Sequence, residues 1–418
     1  MNNKLNYIDL FAGAGGLSEG FITAGFNPIA HVELEKAACN TLKTRAAYHF
    51  LKSKNRIEEY YKYLKNEISR DELYKLIPKN ISESIINLPI SDENNFLIKQ
   101  KIDRLLDKRK VDLIVGGPPC QAYSLVGRSR SKTKMKGDPR NYLFIQYGKF
   151  LEIYKPKVFV FENVIGLLSA NKGKYLDDMK ALFLTKGYDV RLYILEAKNF
   201  GVLQNRKRII IVGWLKNLKI TPPELEEFQI IHNYKVKDVL NDLPKIQAGE
   251  GIDKYQKYAT KTSEYLKDFA LRNGVNILTQ HVARPHIERD KEIYQIAVNK
   301  WNINKERLNY NDLPDKLKTH SNRNSFTDRF KIVAGDLSYS QTVVAHIAKD
   351  GHYYIHPDIN QNRSLTVREA ARLQSFPDDY FFEGEKEGSN RTAAFKQIGN
   401  AVPPLMALEI AKSILTIL

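Results

Sequence analysis

The strongest constraint on the fold is an alternation that begins at the sixth residue. Asn6-Tyr7-Ile8-Asp9-Leu10-Phe11 reads as a buried strand, Ala12-Gly13-Ala14-Gly15-Gly16 as a glycine turn, and Leu17, Phe21 and Ile22 as the apolar face of a helix. Strand, glycine turn and helix in this order bring a ligand close to the backbone at a helix N-terminus. The pattern then repeats. Pro28-Ile29-Ala30-His31-Val32, Val111-Asp112-Leu113-Ile114-Val115, Lys157-Val158-Phe159-Val160-Phe161 and residues 189–195 and 209–214 read as further strands, with helical patterns at 142–154 and 176–183. Continuous apolar runs of this kind belong to sheets covered on both faces. Residues 6–214 therefore predict one doubly wound α/β domain.

In open α/β sheets, ligand and catalytic groups gather at the carboxyl ends of strands, where Asp9, Glu33, Cys120 and Glu162 stand. The dinucleotide fingerprint fails, because Ser18 occupies the place of the third glycine, and this disfavours a nicotinamide cofactor. Glu33 lies about where an acidic residue takes the two hydroxyls of a ribose. Glu33 and Glu35 equally suit the N-terminal dipole of the helix carrying Ala37, Ala38 and Leu42. In Val115-Gly116-Gly117-Pro118-Pro119-Cys120-Gln121 the glycines allow a tight exit from a strand and the prolines stiffen the backbone ahead of the thiol. Such a loop presents Cys120 as a nucleophile, though a small buried hydrophobe also fits this stretch taken alone. Glu162 is either a site carboxylate or a helix cap. Arg206 and Arg208 should share one face at the start of a strand, suiting a phosphate or a carbonyl edge, or protecting an edge strand.

The net charge is +17, from 65 Lys and Arg against 48 Asp and Glu, which points to an anionic partner, nucleic acid first. Its placement is informative. Arg128, Arg130, Lys132, Lys134, Lys136 and Arg140 follow the Cys120 loop directly, interleaved with Ser, Thr and Gly, as a flexible basic segment tethered to the thiol. The two cysteines, Cys39 and Cys120, lack the spacing of a disulfide framework or zinc site. No apolar run approaches the roughly 18 residues of a membrane span, and no signal-peptide pattern is present. A cytoplasmic protein without membrane contact is expected. Residues 44–110 are charged, tyrosine-rich and helical in pattern, and read as a surface insertion without chemistry.

Past Trp214 the character changes. Residues 221–336 are irregular and read as a second domain of loops, short helices and few strands. His281 with His286, and His352 with His356, have spacings compatible with a metal but lack convincing partners, so hydrogen-bonded or exposed histidines and no metal are expected. Residues 364–374 open on a Ser or Thr cap and continue as an amphipathic helix with Arg368 and Arg372 on one face. The apolar helix containing Leu405, Ala407, Leu408, Ile410 and Ala411 should return to pack on the first domain.

Six blocks, residues 9–16, 117–124, 162–164, 204–208, 363–378 and 397–404, taken together and in this order resemble the DNA cytosine-5 methyltransferases. The resemblance implies an S-adenosylmethionine-dependent methyltransferase: an α/β, Rossmann-like sheet with a smaller inserted target-recognition domain. The expected division is 1–214 for catalysis and cofactor with the insertion at about 44–110, 215–380 for target recognition and hinge, and 381–418 for the return. By the same resemblance Cys120 adds to C6 of a flipped cytosine, Glu162 holds N3, Arg208 meets the base carbonyl, and Arg206 supports it or a phosphate. Phe11, Gly13, Gly15, Gly16, Glu33, Leu34, Pro118, Leu143 and Asn400 match cofactor-binding positions. Ser124, Arg128, Arg130, Lys132 and Lys134 match DNA-binding positions in a loop that closes over double-stranded DNA, while residues 221–336 read the bases. Two departures stand out: Leu34 replaces the usual aromatic residue against adenine, and the insertion obscures the Asp-Ile motif, leaving Asp92 as the candidate contact. The length of 221–336 argues against an RNA cytosine methyltransferase, the same-fold alternative. The expected enzyme is a prokaryotic, modification-type monomer that shares a recognition sequence with any companion restriction endonuclease without binding it.

Overall fold

The computed structural model describes residues 4–119, 142–272, 274, 276–324, 326–388 and 390–418. Its centre is a seven-stranded sheet of β1 (Asn6–Leu10), β2 (Asn27–Glu33), β3 (Ile85–Asn87), β4 (Leu113–Gly116), β5 (Val158–Val164), β6 (Tyr188–Glu196) and β7 (Lys207–Leu215), in the order β3-β2-β1-β4-β5-β7-β6. Only β7 runs against its neighbours, pairing antiparallel with both β5 and β6. The β1/β4 boundary is where consecutive connections diverge to opposite halves of the sheet, and ligands bind at such switch points.

Helices cover both faces. They are α1 (Gly16–Thr23), α2 (Lys36–Ser53), α3 (Ile57–Leu64), α4 (Arg70–Lys75), α5 (Lys79–Glu83), α6 (Asn95–Leu106), α7 (Leu143–Tyr154) and α8 (Lys174–Thr185). After the sheet follow α9 (Glu264–Asp268), α10 (Glu288–Asn304), α11 (Val367–Leu373), α12 (Arg391–Asn400) and α13 (Pro404–Leu415), with β8 (Gly251–Ile252) and β9 (His281–Val282) as a two-stranded ribbon. One sheet face packs Ile8, Leu10, Ile114, Phe159 and Phe161 against Ile98, Tyr147, Met179 and Phe183 of α6, α7 and α8. The other packs Tyr7, Val115, Val160 and Val212 against Phe21 of α1 and Met406, Ile410 and Ile414 of α13. Each such side chain removed from water contributes ~1.5–3 kcal/mol, so strands buried on both faces dominate the stability. At Gly20 a Cβ would lie 2.4 Å from the Ala407 carbonyl carbon, so α1 and α13 touch backbone to backbone.

Three expectations are corrected. Residues 44–110 are not merely a surface insertion. They contain the last turns of α2, the edge strand β3 and the crossover helix α6, and Tyr60, Tyr63 and Leu64 are buried. Tyr60 Oη donates to the Asp379 carbonyl (2.7 Å) and Tyr63 Oη to the Glu383 carboxylate (2.5 Å), so this segment braces the chain's return to the sheet. The break at 214/215 is not a break in packing: Val236, Tyr265, Val343, Leu365 and Ala371 share a cluster with Ala14 of the glycine turn and Leu203. A separate core gathers Ile293, Tyr294 and Trp301 from α10 with Tyr310, Phe330 and Ile355.

The third correction concerns α11, which is capped as anticipated but is not amphipathic. Thr366 and Glu369 form a reciprocal capping box, and all seven helical residues are buried. Its arginines are neutralised internally. Arg372 pairs with Asp242 and with Asp378 (2.6 Å), and Arg368 donates to the Thr279, Pro377 and Tyr380 carbonyls. Arg363, just ahead of the helix, grips Glu369 through two bonds of 2.7 and 2.8 Å.

Candidate active site

The glycine turn leaves β1 through three left-handed residues, Phe11, Gly13 and Gly15, with φ of 58°, 55° and 82°. A non-glycine residue at Phe11 in this region is strained, and strain of this kind concentrates at binding sites. Each glycine has a different reason. A Cβ at Gly13 would meet nothing within 4 Å, so that position borders open space. At Gly15 it would lie 2.7 Å from Leu42 Cδ2 and 2.9 Å from Tyr380 Oη, and at Gly16 2.2 Å from the Val402 carbonyl. Gly15 is required chiefly by its left-handed φ, and Gly16 by the backbone packed against it. Tyr380 Oη also donates to the Ala14 carbonyl, fixing the turn from behind.

Glu33, at the end of β2, accepts from the Gly13 amide and the Glu35 amide, both at 2.8 Å. It therefore ties the glycine turn to the start of α2, and burial raises its carboxyl above the ordinary carboxylate value. Leu34 next to it is 59% exposed, an apolar side chain left open beside the turn. Asn87, which ends β3, donates to the Glu33 and Leu34 carbonyls (3.1 and 2.7 Å). Sequence reasoning missed it because β3 has only three residues, hidden in a helical stretch. Asp92 is withdrawn as the adenine contact: it is exposed and engaged by Lys149 and Gln146 of α7. Leu143 is half-buried in the first turn of α7, and Asn400 is exposed at the end of α12.

The second half of the site forms where β4, β5 and β7 end. Parallel pairing sets Gly116 opposite Phe161, and antiparallel pairing sets Arg208 opposite Val164 and Ile210 opposite Glu162. Arg208 Nε lies 2.6 Å from Glu162 Oε1, an ion pair whose N–H is not aligned for a hydrogen bond. A Cβ at Gly117 would fall 2.5 Å from Glu162 Oε2, so the chain leaving β4 passes directly over this carboxylate. Pro118 is buried and Pro119 exposed. Cys120, Ser124, Arg128, Arg130, Lys132 and Lys134 lie outside the described residues, which resume at Tyr142. The other cysteine is no nucleophile. Cys39 is buried, donates to the Glu33 carbonyl, and has its thiol pushed up to about 12 by burial.

Arg206 is wholly buried and donates to the carbonyls of Val343 (2.8 Å), Gly399 (3.1 Å) and Ala401 (2.8 Å), so among the described residues its guanidinium is engaged by backbone, two positions before Arg208. The histidines with metal-like spacing are hydrogen-bonded: His281 to Thr366 and Pro244, His286 to Ser364, His352 to Tyr294, and His356 to the Asp358 amide. Among the described residues no cluster of His, Cys, Asp or Glu is arranged to hold a metal, and no helix is long and apolar enough to cross a membrane.

A seven-stranded sheet with one reversed strand beside the edge, a glycine turn after β1 and a carboxylate after β2 defines the methyltransferase class. The sequence profile described as C-5 cytosine-specific DNA methylase matches residues 5–68 and 62–416. The type II methyltransferase M.Bpa9945I of Bacillus paralicheniformis is 44% identical over 441 residues, covering 97% of this chain and 98% of that one. M1.HphI of Haemophilus parahaemolyticus is 32% identical, over 99% and 87%. A crystal structure of a prophage-encoded putative DNA modification methyltransferase of E. coli shares the fold, with a TM-score of 0.65 at 24% identity and 99% of both chains covered. The chain belongs to the C-5 cytosine-specific DNA methylase family and is a DNA (cytosine-5-)-methyltransferase, similar to these type II methyltransferases.

Proposed function

We propose that the enzyme methylates C5 of a cytosine flipped out of double-stranded DNA, with S-adenosylmethionine as donor and a covalent bond between Cys120 and C6 of the base. The observation that carries this reading is the Glu162–Arg208 pair lying under Gly117, three residues before Cys120. The cofactor suits the residues at the glycine turn. Gly13 borders open space, Glu33 offers a carboxylate to ribose hydroxyls, Leu34 an apolar platform to adenine, and Asn87 an amide beside it. Leu143 and Asn400 complete the group of contacts. When bound, S-adenosylmethionine supplies an electrophilic methyl group.

The chain's own residues do the rest. Cys120, as its thiolate, adds to C6, while Glu162 holds and shares a proton at N3 so that negative charge does not build up on the ring. Arg208 donates to the base carbonyl. C5 then carries the electron density to take the methyl group, and loss of the C5 proton with expulsion of the thiolate restores aromaticity. Base flipping follows from geometry, since C6 of a stacked base is closed to a side chain. The basic segment at 128–136 binds phosphates, and residues 221–336 read the target sequence.

The test is duplex DNA carrying 5-fluorocytosine at the target, found by bisulfite sequencing of DNA from expressing cells. A denaturation-stable adduct is expected with the wild type and none with Cys120→Ser, which should still bind the cofactor. Methyl transfer by Cys120→Ser at near wild-type rate overturns the mechanism, and methylation of RNA but not duplex DNA overturns the substrate.

A further inference from the structure

Arg206 does not stand alone. Gln204, two residues earlier and equally buried, accepts from the Val343 amide (2.9 Å) and donates to the Leu373 carbonyl (3.0 Å) and to Gln374 Oε1 (3.1 Å). Gln374, at the end of α11, donates to the Ile398 carbonyl at 2.6 Å. Arg206 takes the Val343 carbonyl with one nitrogen, and the Gly399 and Ala401 carbonyls with the other. Both backbone groups of Val343 are thus held by side chains from the segment leading into β7. The two carbonyls that flank Asn400 are held by a single guanidinium nitrogen. Neighbouring backbone bonds extend the seam: Asn205 N to Ser340 O and Ser340 N to Leu203 O, each 2.9 Å.

We propose that Arg206, with Gln204 and Gln374, is a positioning device that fixes Asn400 for the cofactor and locks it to the strand end that presents Arg208 and to the segment through which the chain leaves the recognition region. Arg206 touches neither substrate nor cofactor. A guanidinium is suited to this task because its planar fork reaches three carbonyls at once, whereas a lysine ammonium cannot keep all three in line. A rigid brace matters here because misplacing a contact by even 1 Å can cost about a hundredfold in rate. The proposal rests on Asn400 being a cofactor contact, and its test separates the two claims.

The test is a double-mutant cycle on the full chain, read as the equilibrium dissociation constant for S-adenosylmethionine without DNA, at a temperature where each variant is folded. Asn400→Ala and Arg206→Lys should each weaken binding by roughly tenfold, and the double variant should be little weaker than Asn400→Ala, because both changes remove one contact. Fully additive losses, or Arg206→Lys with wild-type affinity, overturn the proposal. Wild-type affinity in Asn400→Ala removes the assignment of Asn400 and the proposal with it. Gln374→Met, which keeps the volume and loses both donors, reports on the same brace if Arg206→Lys does not fold, and it should show the same non-additivity. A purely structural role would lower thermal stability in these variants without moving the dissociation constant.

Discussion

At the scale of single residues, the site depends on what a side chain would displace. Adding one methyl at Gly117 places it 2.5 Å from the Glu162 carboxylate. Gly117→Ala should lower single-turnover methyl transfer by about a hundredfold while the melting temperature changes little, because in the proposed mechanism the displaced group acts on the base and not on the core. Arg208→Lys should also reduce kcat/KM strongly, since an ammonium cannot reproduce the planar donor pair, and steady-state kinetics would show it. Much at this scale was legible in advance: Glu33, Glu162 and Arg208 stand at strand ends that apolar runs announce. Arg206 was not legible. A two-residue period says which side a group takes, but the Val343, Gly399 and Ala401 carbonyls that occupy that side come from more than 130 residues away.

At the scale of elements, α11 shows where charge misleads. Two arginines four residues apart usually mark a solvated face, and nothing local reveals that Asp242 is the partner of Arg372, 130 positions upstream. The buried pairs make a strong prediction. Arg372→Met leaves Asp242 and Asp378 buried beside an apolar side chain, and urea unfolding should show a loss of about 3–5 kcal/mol. The same blindness hid β3. Three residues are too few for periodicity to register, and only pairing with β2 makes them a strand. The tyrosines of α3 read as solvent-facing because their acceptors, on residues 379 and 383, are supplied by the far end of the chain.

At the scale of the whole molecule, its polar interior fixes how stability responds to acid. Burial holds His31 and His281 down at about 4 and His286 and His356 at about 3, below the ordinary histidine value of 6.5. Between these values and 6.5 the unfolded chain binds more protons than the folded one, so stability falls as pH falls. Glu19 and Glu369 act in the same direction lower down. Burial alone would raise them, but Arg45 and Arg363 respectively hold them far below 4.5, and their contribution is lost progressively as pH drops from 4.5 towards those depressed values. Burial raises Asp9, Glu33 and Glu383, which opposes this trend, but the four histidines outnumber them, so denaturant titrations should show a decline beginning near pH 6.5 and steepening below pH 4.5. His281→Gln should flatten the upper part of that curve. DNA affinity should in turn fall steeply with salt, as phosphate neutralisation by a chain of net charge +17 requires. The docking of α13 against α1 and the first strand has a consequence for synthesis on the ribosome. One face of the sheet stays open until α13 emerges, so the nascent chain exposes Tyr7, Phe21 and Val160 throughout translation of residues 215–403. Methylating activity is therefore expected only after α13 has emerged and docked.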